Sequence, residues 1–172
     1  MGSAAWLPCW LVLVAACAAP PSPPAAAQAA SPRDFVGCFR GPLQLRGGSG
    51  APSVTMQLLV EPLDGSADRL RWQLRYGEHD VRDYVLTIDD AATGRCTIDE
   101  QNGIALAGSF ADGELVTVFE VGGQVLDCRY RLVGEDVEFA LEAVDRGAGT
   151  ATGQGVTTFA KVAWQRALLR RQ

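Results

Sequence analysis

The 172 residues, 48% of them apolar and 20% charged, suit one globular domain with a real core and exclude wholesale disorder. A net charge of −5 argues against the basic face on which a nucleic-acid binder depends. Fourteen arginines against one lysine, beside abundant Ala and Gly, reflect nucleotide bias more than a functional demand.

No charged side chain precedes Arg33. Residues 4–19 form an apolar run, AAWLPCWLVLVAACAA, followed at once by PPSPPAAAQAA. The run is shorter than the roughly 20 residues that span a bilayer, and it reads as a secretory signal peptide. Two processing sites compete. Val14-Ala15-Ala16-Cys17 resembles the lipobox of bacterial lipoproteins, in which the cysteine is lipidated and becomes the first mature residue, so Cys17 is the lipidation candidate. Ala27-Gln28-Ala29 fits the small-x-small site of ordinary secretion. Residues 1–29 are assigned to signal peptide and Pro/Ala tether, and 34–172 to the folded domain. Both routes lead to the periplasm or outer membrane of a Gram-negative-type bacterium, with membrane contact only through a lipid anchor.

From Asp34 to Asp145 the chain repeats one theme, a short alternating or apolar run and then a turn signal. The runs are FVGCFRGPLQLR, SVTMQLLVEPL, RLRWQLRY, VRDYVLTI, RCTIDE, IALAGSF, ELVTVFEV, QVLDCRYRLV and VEFALEAV. Asn102-Gly103, Asp112-Gly113 and Gly122-Gly123 are the short-hairpin signals, because such turns need positive φ. Residues 146–155 read as a loop; their glycines match no phosphate-binding GxGxxG. Residues 156–164 suit a strand, and 163–171 fit either a strand or a helix; a closing strand is taken.

Phase is legible in two of these runs. Leu70, Trp72, Leu74 and Tyr76 share one face, opposite Arg71, Gln73 and Arg75. Leu126, Cys128, Tyr130 and Leu132 oppose Asp127, Arg129 and Arg131. One dry and one wet face per strand, with consecutive hairpins, predicts an all-β fold: a single antiparallel up-and-down β-barrel of about ten strands.

With Cys9 lost in the signal peptide and Cys17 lipidated, Cys38, Cys96 and Cys128 remain. Cys96 and Cys128 alternate in phase with apolar neighbours and form the disulfide candidate, worth about 3–4 kcal/mol in the chain-entropy model. Three free thiols are the other reading. No CxxC or zinc spacing is present, and no metal is assigned. His79, in Gly77-Glu78-His79-Asp80, reads as a turn residue rather than a general base. Asp99, Glu100 and Asn102, near Asp89 and Asp90, match no EF-hand spacing. Without an assembled acid–base or nucleophile set, no catalytic residue and no enzyme activity is assigned.

Gly37-Cys38-Phe39-Arg40-Gly41, at the start of the first strand, resembles the G-x-W motif of the calycins, the lipocalin-like barrels, and its G-x-W-x-G variant in nitrobindin-like barrels. Phe39 stands where Trp is usual. That resemblance implies a basic residue near the final strand over the ring, and Arg166, two positions past Trp164, is the candidate. The wider pattern is similar to that of uncharacterised secreted bacterial proteins of lipocalin-like type. The late histidine that holds haem in nitrobindins has no counterpart here, so no cofactor is carried over.

A barrel of this kind encloses or fills its lumen, and Trp72, Tyr76, Tyr84, Phe119, Tyr130 and Phe139 are the cavity-lining candidates. Two functions follow as expectations. One is an exported barrel that binds a small hydrophobic or amphipathic ligand in the cell envelope. The other is an envelope interaction or assembly protein with a solid barrel and no small-molecule ligand.

Overall fold

Alternation decides the architecture. A computed structural model describes residues 30–46 and 54–172, and in it ten antiparallel strands close into one barrel. They are β1 (Gly37–Arg46), β2 (Val54–Pro62), β3 (Arg69–Tyr76), β4 (Asp80–Asp90), β5 (Arg95–Asp99), β6 (Ala105–Ala111), β7 (Glu114–Val121), β8 (Gln124–Val133), β9 (Asp136–Asp145) and β12 (Lys161–Arg171). Each pairs with the next in sequence, and β12 pairs with both β9 and β1, so the meander has no free edge. The expected up-and-down barrel is therefore the observed fold. The signal-peptide, tether and Cys17 assignments lie outside the described residues.

The residues that alternate in sequence point inward in register. Leu70, Trp72 and Leu74 on β3 lie opposite Leu86, Tyr84 and Arg82 on β4, and Tyr130 on β8 lies opposite Leu115 and Phe139. Trp72, Phe39, Met56, Leu58, Leu70, Leu86, Leu115, Val137 and Leu169 are fully buried. Each such side chain contributes about 1.5–3 kcal/mol of burial, which is why one dry face per strand suffices to close the sheet.

One end of the barrel is plugged. A 3₁₀ turn, Pro32–Phe35, precedes β1 and drops the fully buried Phe35 edge-on against Trp72 and Phe110, with ring centroids 5.3 and 6.2 Å apart. Ser31 and Asp34 cap this turn reciprocally. Arg33 ties it to the β2–β3 connection by donating to the carbonyls of Ser66 and Ala67. The opposite end, carrying the β3–β4, β5–β6 and β7–β8 turns, has no such plug among the described residues.

The basic residue over Phe39 is Arg171, not Arg166. Its guanidinium lies 4.8 Å from the ring centroid and donates to the carbonyls of Val36 and Glu135. Strand parity is the reason. Arg171 sits opposite Phe39 in the β1–β12 register, whereas Arg166 sits opposite Gln44, faces outward, stacks on Trp164 and pairs with Glu142. Gly37 makes room for this contact: at φ +150, a Cβ there would come within 2.6 Å of Arg171 Nη1.

Two local readings are corrected. Residues 146–155 are not a plain loop: a 3₁₀ turn (Arg146–Ala148) leads into an exposed hairpin, β10 (Thr150–Gly153) and β11 (Val156–Thr158), turned by Gln154 and Gly155 at φ +49 and +77. Nor is Asn102-Gly103 a two-residue turn. The β5–β6 connection is longer, Gln101 takes the left-handed conformation, and Glu100 N–H donates to the Ile104 carbonyl.

Candidate functional site

The plugged half of the lumen is solid with Phe35, Phe39, Phe110 and their aliphatic neighbours. Toward the open half the inward positions change character. Asp80, Arg82 and Tyr84 occupy alternate sites on β4, opposite Tyr76, Leu74 and Trp72. Glu100 follows Ile98 in the same phase at the end of β5, and Thr117 and Cys128 face each other across β7 and β8. These groups leave a cavity of about 80 Å³ between the Trp72 ring and the mouth. All six aromatic candidates, Trp72, Tyr76, Tyr84, Phe119, Tyr130 and Phe139, line it.

The cavity is small beside the several hundred Å³ of a typical drug-sized pocket. Wider concavities exist on the outer wall, including one of about 440 Å³ over Pro42, Ala140, Arg166 and Leu168. That cleft is bounded by exposed and ion-paired side chains. The lumen pocket combines aromatic walls with polar groups at its rim.

Its mouth is charged and its floor is neutral. Arg82 binds Asp80 through two hydrogen bonds, 3.1 and 2.9 Å, and lies 4.8 Å over the Tyr76 ring. That hydrogen-bonded pairing holds the Asp80 carboxyl below its usual range. Glu100 accepts from the Asn102 side chain at 3.2 Å and makes no ion pair among the described residues. In the floor, burial dominates: it pushes the Tyr76 and Tyr130 hydroxyls above their ordinary range and the Cys128 thiol up to about 12. These three groups are therefore protonated at neutral pH.

The floor contains one unmet donor. Trp72 Nε1 is the buried side-chain polar atom without a hydrogen-bond partner among the described residues. The Tyr130 ring stands edge-on to the indole, with centroids 5.0 Å apart, and its hydroxyl lies within reach of Nε1.

Cys96 and Cys128 are free thiols, not a disulfide. Both face inward as their phase requires, yet they lie on one rung of the wall through Gly108 and Thr117, on β5 and β8. Three inter-strand steps of about 4.8 Å separate them, far beyond the roughly 7 Å that a disulfide tolerates between Cα atoms. Cys38, half-buried on the wall, is likewise free and accepts from Gln57 Nε2 at 3.1 Å. His79 is exposed in the β3–β4 turn. Among the described residues no group of three His, Cys, Asp or Glu side chains converges as metal ligands would.

Arg82 and Glu100 were not among the expected lining residues. Their signal was present, since Asp80, Arg82, Tyr84, Leu86 and Ile88 hold one parity, but charge at an inward phase reads as the wet face.

A closed ten-stranded meander with a plugged end, an open end and an Arg-covered aromatic at the start of β1 defines a lipocalin-like barrel. No protein-family model matches the chain, and no curated protein matches it. Solved structures do. A protein of unknown function from the DUF3598 family of Nostoc punctiforme aligns with TM-score 0.61 at 12% identity, over 85% of this chain and 51% of its own. The present chain thus spans about half the length of that protein. The S-type phycobiliprotein lyase of Guillardia theta aligns with TM-score 0.52 at 11% identity, over 81% of this chain and 89% of its own. At such identities the likeness is one of fold.

Proposed function

We propose that this barrel is a small-ligand-binding module exported to the cell envelope, taking a small amphipathic molecule through its open end. The observation that carries the reading is the unfilled, aromatic-walled pocket in the open half of the lumen, with polar side chains turned inward at its mouth. Leu74, Ile98, Leu106 and Phe119 offer the apolar wall, and Arg82, Glu100 and Tyr84 the polar rim. With about 80 Å³ enclosed, a larger ligand projects past the mouth. Burial pushes the Cys128 thiol up to about 12, which argues against a nucleophilic role for that one residue. The fold likeness to a phycobiliprotein lyase is compatible with a barrel that handles a small molecule.

The export component rests on the sequence of residues 1–29, with lipidation at Cys17 or cleavage after Ala29 as the two routes. The mature N-terminus, determined by mass spectrometry with and without palmitate labelling, distinguishes them. An unprocessed chain in the cytoplasm contradicts both.

The ligand component is tested by native mass spectrometry of protein isolated from its own cells. A stoichiometric adduct lost on denaturation is the expected result. A bare chain that also gives no response of Trp72 emission to a small-molecule screen refutes it. That outcome would favour the second reading, an interaction protein with a solid barrel. The observation behind the second reading is the packed lower lumen together with exposed Ile104, Val121 and Phe159 around the open end.

A further inference from the structure

Three formal charges at the mouth of the lumen are unequally matched. Asp80 and Arg82 hold each other by two hydrogen bonds, and the Arg82 guanidinium also lies over the Tyr76 ring. Glu100 borders the same pocket with only the neutral Asn102 amide as its side-chain partner, at 3.2 Å. No side-chain cation can reach it from residues 1–29 or 47–53, which contain no Lys, Arg or His.

The β5–β6 turn fixes this carboxylate in place. Glu100 N–H donates to the Ile104 carbonyl at 2.9 Å, Ile104 N–H donates to Asn102 Oδ1 at 3.0 Å, and Asn102 Nδ2 donates to Glu100. Glu100 is half-buried, so its charge stands at the edge of an aromatic-walled pocket and keeps part of its hydration. Acceptors surround it. Tyr76, Tyr84 and Thr117 bring hydroxyl lone pairs to the pocket, and burial together with the Glu100 charge holds the Tyr84 hydroxyl above its ordinary range. An ammonium group only donates, and aromatic faces attract it. A carboxylate in the same place would meet the like charge of Glu100 and find Arg82 already taken.

We propose that the ligand is a small apolar amine, with its hydrocarbon part in the lumen against Leu74, Ile98 and Phe119 and its ammonium group at the mouth on Glu100. This assignment rests on the ligand-binding reading above and adds the chemical class. The cavity of about 80 Å³ takes the apolar part, and the charge stays where water still reaches it.

Three probes of one shape test it: cyclopentylamine, cyclopentanol and cyclopentanecarboxylate, which at neutral pH carry a cation, a neutral hydroxyl and an anion. Each is titrated into the methyl-labelled full chain, in which the Leu74, Ile98 and Leu106 methyl signals report entry into the lumen. Cyclopentylamine is expected to bind about tenfold more tightly than cyclopentanol, with the carboxylate weakest. Glu100→Gln keeps the shape of the side chain while removing its charge, and it is expected to bind amine and alcohol equally. A wild-type chain that binds the alcohol as tightly as the amine overturns the proposal, and this comparison stands whether or not the variant folds. So does a carboxylate that binds best, or an amine preference that survives Glu100→Gln. Should none of the probes shift any lumen methyl, the ligand-binding reading itself fails, which separates the two failures.

Discussion

Closure of the barrel depends on how near β1 and β12 can approach, and Gly41 sets that limit. A Cβ at this position would lie 2.2 Å from the Leu168 carbonyl oxygen, 3.1 Å from its carbon and 3.3 Å from Leu169 Cα. Every obstacle is backbone, so no rotamer change relieves the clash, and the strands must part by about 1 Å to reach ordinary contact. The seam has little reserve there, since Pro42 offers no N–H and the registered pairs flank the gap at Arg40–Arg170 and Gln44–Arg166. Gly41→Ala gains about 0.5–1 kcal/mol by restricting the unfolded chain. Overpacking costs about 1–3 kcal/mol, at the upper end where backbone must move. Overpacking wins, and a net loss of about 2 kcal/mol lowers Tm by roughly 4–8 °C for a chain of this size. Urea denaturation followed by circular dichroism and by tryptophan emission measures it. A Gly41→Ala protein within about 0.5 kcal/mol of wild type, the range of neutral surface changes, would refute the close β1–β12 approach.

Arg171→Ala should cost about 1–2 kcal/mol in the same assay, because it removes the cation from the Phe39 face and two hydrogen bonds to carbonyls. Arg166→Ala should cost under about 0.5 kcal/mol, its partner Glu142 being also served by Lys161; the reverse order would restore Arg166 as the motif residue. Stability should fall in alkali. Burial pushes the Cys96 and Cys128 thiols up to about 11 and about 12 and raises Tyr76 and Tyr130 too, so the unfolded chain releases these protons first. Stability is then full below the ordinary thiol pKa of about 8.5 and declines as pH rises toward 12, a trend that thermal melts across this interval can measure. A Tm unchanged to pH 12 would mean these groups are not buried. Peptide mapping without reductant should find no Cys96–Cys128 bridge in the folded protein, and native thiol labelling should modify Cys38 well before Cys96 or Cys128; a mapped bridge would require the β5–β8 wall to be arranged differently.

The barrel was legible because Leu70, Trp72, Leu74 and their counterparts on β8 alternate without exception, and a meander needs no long-range information to order its strands. What failed was everything that depends on distance around the wall or on the parity of a weakly patterned strand. Cys96 and Cys128 have the correct inward phase, but phase says nothing of the two strands between them. On β12 the inward set is Gln165, Ala167, Leu169 and Arg171, too small and polar to announce its parity beside Trp164 and Arg166. Arg82 and Glu100 are not legible as lining residues, because a charge at an inward phase breaks the alternation that makes the other strands readable. Such departures concentrate where a protein does something other than fold. The Gln154-Gly155 turn was also readable in principle, as a left-handed pair between threonine-rich segments, but the surrounding glycines masked it.

The most direct measurement is a crystal structure of the protein isolated from its own cells. Density for a bound small molecule inside the open half of the lumen, between Trp72, Tyr84, Phe119 and Tyr130, is the result expected here. Density confined to the outer cleft near Pro42 and Leu168, or a lumen occupied by repacked side chains from end to end, would contradict it.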